Sequence, residues 1–357
     1  MTSRYGENLK LSIFGTSHGP EIGMNLEGIP AGLPVDIEKL QAFLNRRAPG
    51  RNEWSTSRKE ADIPHFQSGL VNSCTNGEAI SAVIYNNNVR RDDYENLKHI
   101  PRPGHADYAA WMKYGLDYDM AGGGPFSGRM TAPMCIAGGM CKQWLENMGI
   151  RIGAHIAWIS DIDDNRFDPV APALDAVGSD FPVLNSICGA QMLEAIAEAK
   201  NQGDSLGGII ECAITGLPTG MGGPMFGGVE GKIASAMYGI PAVKGVDFGL
   251  GFANTYHPGS DANDEFIISN GIVQTRTNHC GGILGGITNG MPVIFRVAFK
   301  PTPSISKPQT SVNLTTMEEV TIQIKGRHDP CIVPRAVPVV EAAAAIAIYD
   351  MILGNNQ

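Results

Sequence analysis

Glycine decides much of what this chain can become. It fills 44 of 357 positions, roughly 12% where ~7% is usual. It is also clustered, at Gly122-Gly123-Gly124, between Gly216 and Gly228, and at Gly281-Gly282 with Gly285-Gly286. Strongly periodic segments separate the clusters, which excludes a low-complexity linker. Glycine clusters between ordered segments point to tight turns with positive φ, or to backbone passing close to a ligand.

The periodic segments predict a mixed α/β domain with long loops. Strand-like runs cover 9–14, 22–28, 79–85, 150–159, 208–215, 242–248 and 292–299. In a further run, 319–324, Val320, Ile322 and Ile324 alternate with polar partners. Helix-like runs cover 36–47, 105–114, 129–148, 186–201, 228–238 and 335–353, the first opened by Pro34 and Asp36. On the 129–148 run, Met130, Met134, Met140, Trp144 and Met148 read as a core stripe. Neither a composition break nor an internal repeat divides the chain, so residues 1–357 are expected to form one large domain. A hydrophobic content of 43% supplies a sizeable core.

No apolar run approaches the ~20 residues of a membrane span. The nearest, 337–353, is interrupted by Pro338, Glu341 and Asp350. The N-terminal residues lack a basic patch followed by an apolar stretch, and the seven cysteines are scattered without a Cys-x-x-Cys pair. These features predict a soluble cytoplasmic protein with reduced thiols and no metal framework. A net charge of −9 argues against general nucleic-acid binding. The cations are nevertheless concentrated: Arg46, Arg47, Arg51, Arg58 and Lys59 in one stretch, Arg90, Arg91 and Arg102 in the next. A basic patch on an acidic chain suits capture of a small polyanion. With Glu53, Glu60 and Asp62 interspersed, charge alone favours a solvated, partly paired face.

The common chemical motifs are absent. There is no dinucleotide-binding glycine fingerprint, no P-loop, no zinc-protease helix motif and no nucleophile elbow. The eight histidines lack metal-ligand spacing. What remains is local. His18 sits in the turn Gly15 to Pro20 after an apolar run, where a general acid or a capping histidine would serve equally. His105 follows the stiff turn Pro101-Arg102-Pro103-Gly104, a site for a helix-start residue or a functional one. Arg129 stands just after the triple glycine and Ser127, either an anion-binding cation at a helix start or a surface arginine. Lys325-Gly326-Arg327-His328-Asp329 places both charge signs in one turn, either a salt bridge or a site.

Together these clusters resemble the chorismate synthases. Gly15-Thr16-Ser17-His18-Gly19-Pro20 resembles that family's N-terminal signature. The likeness continues through Arg46-Arg47-Ala48-Pro49-Gly50, Thr56 to Asp62, Arg102-Pro103-Gly104-His105-Ala106-Asp107-Tyr108, and Gly122 to Thr131. It ends with Ala242 to Val246, Asn278 to Gly286, Lys300-Pro301-Thr302 and Gly326-Arg327-His328-Asp329-Pro330-Cys331. The order is the family's own over nearly the whole chain.

The resemblance implies a β-α-β sandwich, helices packed between antiparallel sheets, assembled as a homotetramer. It implies conversion of 5-enolpyruvylshikimate 3-phosphate into chorismate and phosphate, an anti-1,4-elimination needing reduced FMN and no net oxidation. The flavin would lend an electron to expel phosphate and take part in removing the C6 hydrogen. His18 would protonate the leaving phosphate, His105 would sit by the flavin pyrimidine, and Asp329 would assist proton transfer. Ser17, Arg46, Arg47, Arg102, Arg129 and Arg327 would hold the substrate's phosphate and carboxylates. Ser127, Ala242, Gly285, Lys300, Pro301, Thr302, Pro303, Ser304 and Arg327 would contact the flavin. NADP belongs to the same picture as a family-associated reductant, but with no nicotinamide fingerprint in the chain an external reductant is expected.

This chain departs from the family pattern at Thr16, where Glu is commoner, and at Glu53 and Pro241. The largest departure is Pro125-Phe126, where many members carry arginine and serine. That exchange implies altered flavin packing, with Phe126 against a ring. Two other readings compete: a flavin enzyme performing net hydride transfer, and an anion-binding scaffold without activity.

Overall fold

Ile22, Met24 and Leu26 alternate along the strand Glu21–Glu27 and are fully buried, the period-2 pattern of a strand with one face on a core. That strand is the middle of a five-stranded antiparallel sheet. Its order is Ser3–Tyr5, Lys10–Gly15, Glu21–Glu27, Ile80–Tyr85, His65–Ser68. A second antiparallel sheet runs Val243–Phe248, Val293–Phe299, Gly208–Thr215, Arg151–Ile159, Ile162–Asp163. The computed structural model describes residues 3–50, 52, 54–55, 60–87, 97–324 and 328–355.

The helices are α1 (Ile37–Arg47), α2 (Asp107–Tyr114), α3 (Thr131–Asn147), α4 (Ser186–Asn201), α5 (Val229–Tyr238), the single turn α6 (Gly259–Ala262) and α7 (Val333–Asn355). Asp36 caps α1 by accepting from the Lys39 N–H at 2.9 Å, and Asn185 caps α4 likewise. α3 lies on the first sheet and α7 on the second, with α1 and α5 beside them and α3 packed against α7. Gly138 permits that approach: a Cβ there would fall 2.4 Å from the Ala342 Cβ. The expected sandwich of helices between antiparallel sheets is therefore what the chain forms, around one continuous core.

α7 corrects one expectation. By length and composition residues Val333–Gly354 qualify as a membrane span, yet 89% of the apolar window is buried within the fold. A helix apolar on all sides is a central core helix. Its two acids have structural partners. Asp350 accepts from the Asn8 and Leu9 N–H groups at 2.7 and 2.9 Å, tying the chain's start to α7. Glu341 accepts from Arg46 and Lys142; burial would raise its carboxyl, but those two cations hold it at about 2.

The anticipated long elements are present with ends shifted by a residue or two. The short hairpins Phe266–Ser269 with Ile272–Thr275, and Ile283–Leu284 with Ile287–Thr288, were not anticipated.

Candidate active site

The first site element is the turn after Lys10–Gly15. Gly15 has φ +95°, and a Cβ there would press to 2.5 Å on the Glu21 carbonyl, so only glycine lets the chain reverse this sharply. The turn is closed by Gly19 N–H to the Thr16 carbonyl at 3.1 Å and docked by Ser17 N–H to the Gly124 carbonyl at 3.2 Å. The second element is the triple glycine, with φ of +59°, +89° and +51° at Gly122, Gly123 and Gly124. It touches both histidines. A Cβ on Gly122 would overlap the His18 ring at 2.0 Å, and one on Gly123 would reach His105 Nε2 at 3.0 Å. The glycine cluster thus brings the two sequence-distant histidines to one wall.

Both line a cleft of about 620 Å³, together with Ser17, Arg47, Arg129, Phe126 and Asp329 among others. That size falls within the ~300–1,000 Å³ of ordinary ligand sites. On one side, three arginines converge. Arg47, at the end of α1, and Arg129, in the turn before α3, both bind the fully buried Asp62; Arg129 also reaches Glu60 at 2.6 Å and the Asn86 side-chain oxygen at 3.1 Å. Arg335 of α7 donates to the Arg47 carbonyl at 3.0 Å and to Asp329 at 2.5 Å. Burial would raise the Asp62 carboxyl, but Arg47 and Arg129 hold it below its ordinary value. Of the basic patch, the described Arg47 and Arg102 are paired, with Asp62 and Asp107, and both are buried rather than solvated.

On the other side, Arg102 and Asp107 flank His105. Asp107 accepts from Arg102 Nε at 2.7 Å and from His105 Nδ1 at 2.7 Å. Burial pushes the His105 ring down, with Arg102 and Lys300 adding to it against Asp107. Lys300 also donates to the Gly104 carbonyl.

The described residues fit a flat, partly anionic group. Phe126, Pro125, Pro241 and Ala242 give an apolar wall, and Lys244 and Lys300 stand on the same cleft. Ala242 holds φ +74° without being glycine, a strained backbone position at a binding wall. The Thr302 hydroxyl is buried there with no protein partner among the described residues, a polar atom placed for a ligand.

Of the anticipated site residues, the cleft gathers Ser17, His18, Arg47, Arg102, His105, Ser127, Arg129, Ala242, Lys300, Thr302, Pro303, Ser304 and Asp329. Three expectations require correction. Arg46 does not line this cleft: its guanidinium forks onto Glu341 at 2.7 and 2.9 Å and borders a separate cavity. Adjacent residues on a helix point about 100° apart, and here Glu341 takes Arg46 to one side while Arg47 turns to Asp62 and the cleft. Gly285 lies in the Ile283–Thr288 hairpin, away from the cleft lining. Pro301 turns toward Gly207 instead, within 2.9 Å of where a Cβ there would lie. Arg327 lies outside the described residues, as do Arg51, Arg58, Lys59, Arg90, Arg91 and Glu53. Sequence reasoning gave no role to Arg335 or Asp107, and treated Asp62 only as a charge offset.

The residues 9–353 match the family profile described as chorismate synthase. A protein named chorismate synthase from Lancefieldella parvula is 44% identical, covering 98% of this chain and 96% of its own length. Another, from Thermococcus gammatolerans, is also 44% identical, with 98% and 97% covered. A crystal structure of a chorismate synthase superposes with a TM-score of 0.79 at 29% identity, covering 98% of this chain and 93% of that one.

Proposed function

This chain belongs to the chorismate synthase family, and from that premise we propose how its cleft works. The enzyme is a lyase that removes phosphate from 5-enolpyruvylshikimate 3-phosphate to give chorismate, a step of the shikimate pathway. The observation that carries the assignment of the site is the convergence of His18 and His105 on one triple-glycine turn, facing a cleft walled by arginines.

In this reading His18 donates a proton to the departing phosphate, held by a ring that leans on Gly122. Arg47 and Arg129 orient the substrate's anionic groups, with Arg327 assigned to the same task. Because Arg47, Arg102, Arg129 and Arg335 each already have a carboxylate partner, affinity comes from exchanging partners rather than from bare charge. Asp329, held by Arg335, receives or relays the proton lost by the substrate. Ser17 orients His18 or the phosphate.

Reduced FMN is the proposed cofactor; when bound, it supplies the reversible electron donation that makes the anti-elimination feasible. Ser127, Ala242, Lys300, Thr302, Pro303 and Ser304 would hold it, with Phe126 and Pro125 against its apolar face and His105 at its polar edge. The reductant is external, NADP-linked or otherwise.

A homotetramer and a cytoplasmic location complete the proposal. Support for assembly comes from exposed apolar side chains at Phe226, Phe252, Tyr256 and Ile268, the last 73% exposed. Support for a reducing compartment comes from the sequence pattern of the seven cysteines, odd in number and scattered with no Cys-x-x-Cys pair. The site reading predicts that FMN is retained tightly only when substrate is also present. Flavin fluorescence that responds to neither protein nor substrate would overturn it.

A further inference from the structure

We propose that Asp107 is a positioning residue that locks His105 in the Nδ1–H form and turns its Nε2 lone pair to the cleft, and that Arg102 serves this carboxylate rather than the substrate. The inference rests on the reading above only for the catalytic use of His105; the geometry stands without it.

Asp107 opens α2 and is 2% exposed. Its Oδ2 accepts from the Arg102 backbone N–H at 3.0 Å and from Arg102 Nε at 2.7 Å. Its Oδ1 accepts from Arg102 Nη2 at 2.8 Å and faces His105 Nδ1 at 2.7 Å. The two atoms near Nδ1 are that carboxylate oxygen and Arg102 Nη2, the latter at 3.1 Å. A guanidinium has no lone pair to offer, and an ionised carboxylate has no hydrogen. A contact of 2.7 Å to the carboxylate therefore requires the hydrogen on Nδ1, because a bare Nδ1 would set two lone pairs against each other at that distance, whichever way the second Arg102 Nη2 hydrogen points. In the neutral ring Nε2 is then the acceptor, and it faces the Gly123 backbone on the cleft wall.

Arg102 is committed in the same way. Beyond Asp107, its Nη1 donates to Ser304 Oγ at 3.2 Å, so Nε, Nη1 and Nη2 each have a protein acceptor. Burial alone does not set it apart, because Arg129 is equally buried; the distinction is that Asp107 also takes the Arg102 backbone N–H, so main chain and side chain of one residue brace the carboxylate. The charged groups facing His105 are Asp107, Arg102 and Lys300. Burial first, and the two cations after it, oppose a second proton on the ring against the pull of Asp107, while the Asp107 contact sets the tautomer of the neutral ring.

The test is long-range 1H–15N NMR of histidine-labelled protein without ligand, together with turnover. Wild-type His105 is expected as the Nδ1–H tautomer. Asp107→Asn replaces one acceptor by an NH2 donor and is expected to admit the Nε2–H form. It is expected to lower kcat by about 10²-fold or more, with KM within a few-fold, as follows when a histidine loses its orienting carboxylate. Asp107→Glu is expected to restore the tautomer and part of kcat. A wild-type ring found as Nε2–H overturns the inference, even if the variants do not fold. So does an Asp107→Asn ring that stays Nδ1–H. A tautomer that flips while kcat is unchanged supports the positioning role and overturns the catalytic use of His105 in the function proposed above.

Discussion

Two buried ionic clusters in this molecule invite comparison. One is the arginine cluster of the cleft. The other lies on the second sheet, where His155 and Glu211 are cross-strand partners. There His155 contacts Asp164 at 3.2 Å and Glu211 at 3.1 Å, while Arg166 stacks on Trp158 at 3.7 Å. Burial and shifted titration are common to both clusters, so neither property marks the active site. The difference is in what satisfies the acceptors. Asp164 takes the Leu184 and Asn185 N–H groups at 2.6 and 2.9 Å, and Glu211 takes that of Phe167 at 2.8 Å. Backbone amides cannot be exchanged for a ligand, so that cluster is a structural clamp. Asp62 instead takes two guanidinium groups that also line a cavity, and side-chain partners can be traded for an anionic substrate.

The sharpest way to break this comparison is to cut each cluster's side of it. His18→Ala is expected to lower kcat by about 10²–10⁴-fold, the usual worth of a general acid, with the melting temperature unchanged. A variant that keeps full kcat removes the acid assignment. Glu211→Ala leaves His155 Nε2, Arg166 and the Phe167 N–H without that acceptor, and is expected to cost about 3–5 kcal/mol of stability. Its kcat per folded molecule is expected to be that of the wild type. Chemical denaturation with activity measured in parallel checks both, and lost kcat in a fully folded Glu211 variant would erase the distinction.

A smaller effect separates the two histidines. Burial would lower His155, but Asp164 and Glu211 raise it above the ordinary 6.5. The folded state then keeps a proton that the unfolded chain releases. That stabilisation is full below pH ~6.5 and is lost as pH rises through the folded value. His105 is lowered below 6.5, chiefly by burial. The unfolded chain takes its proton first, so this contribution weakens as pH falls through ~6.5. An NMR titration is expected to place His155 above and His105 below that value; the reverse order contradicts the account.

Much of the fold was legible because its long elements are strongly patterned. The helix over 186–201 was read at its observed ends, and Asp36 was read as a start signal because its side chain does cap α1. The hairpin at 266–275 was not legible: its strands have four residues each and turn apolar Phe266 and Ile268 outward, which erases the alternation that marks a half-buried strand. In the site, the histidines carried no weight singly, because a turn histidine and an acid share the same local sequence. The roles of Asp62 and Arg335 were illegible for a different reason. Each acts through partners far away in the chain, as when Arg335 reaches back to the Arg47 carbonyl. Arg46 and Arg47 parted for the same reason: the Glu341 that takes Arg46 lies 295 residues along the chain.

The most direct test is an anaerobic assay with dithionite-reduced FMN and 5-enolpyruvylshikimate 3-phosphate, following phosphate and chorismate together. Equal release of the two from catalytic amounts of flavin is the predicted result. Phosphate without chorismate, or flavin consumed in proportion to product, would contradict the account.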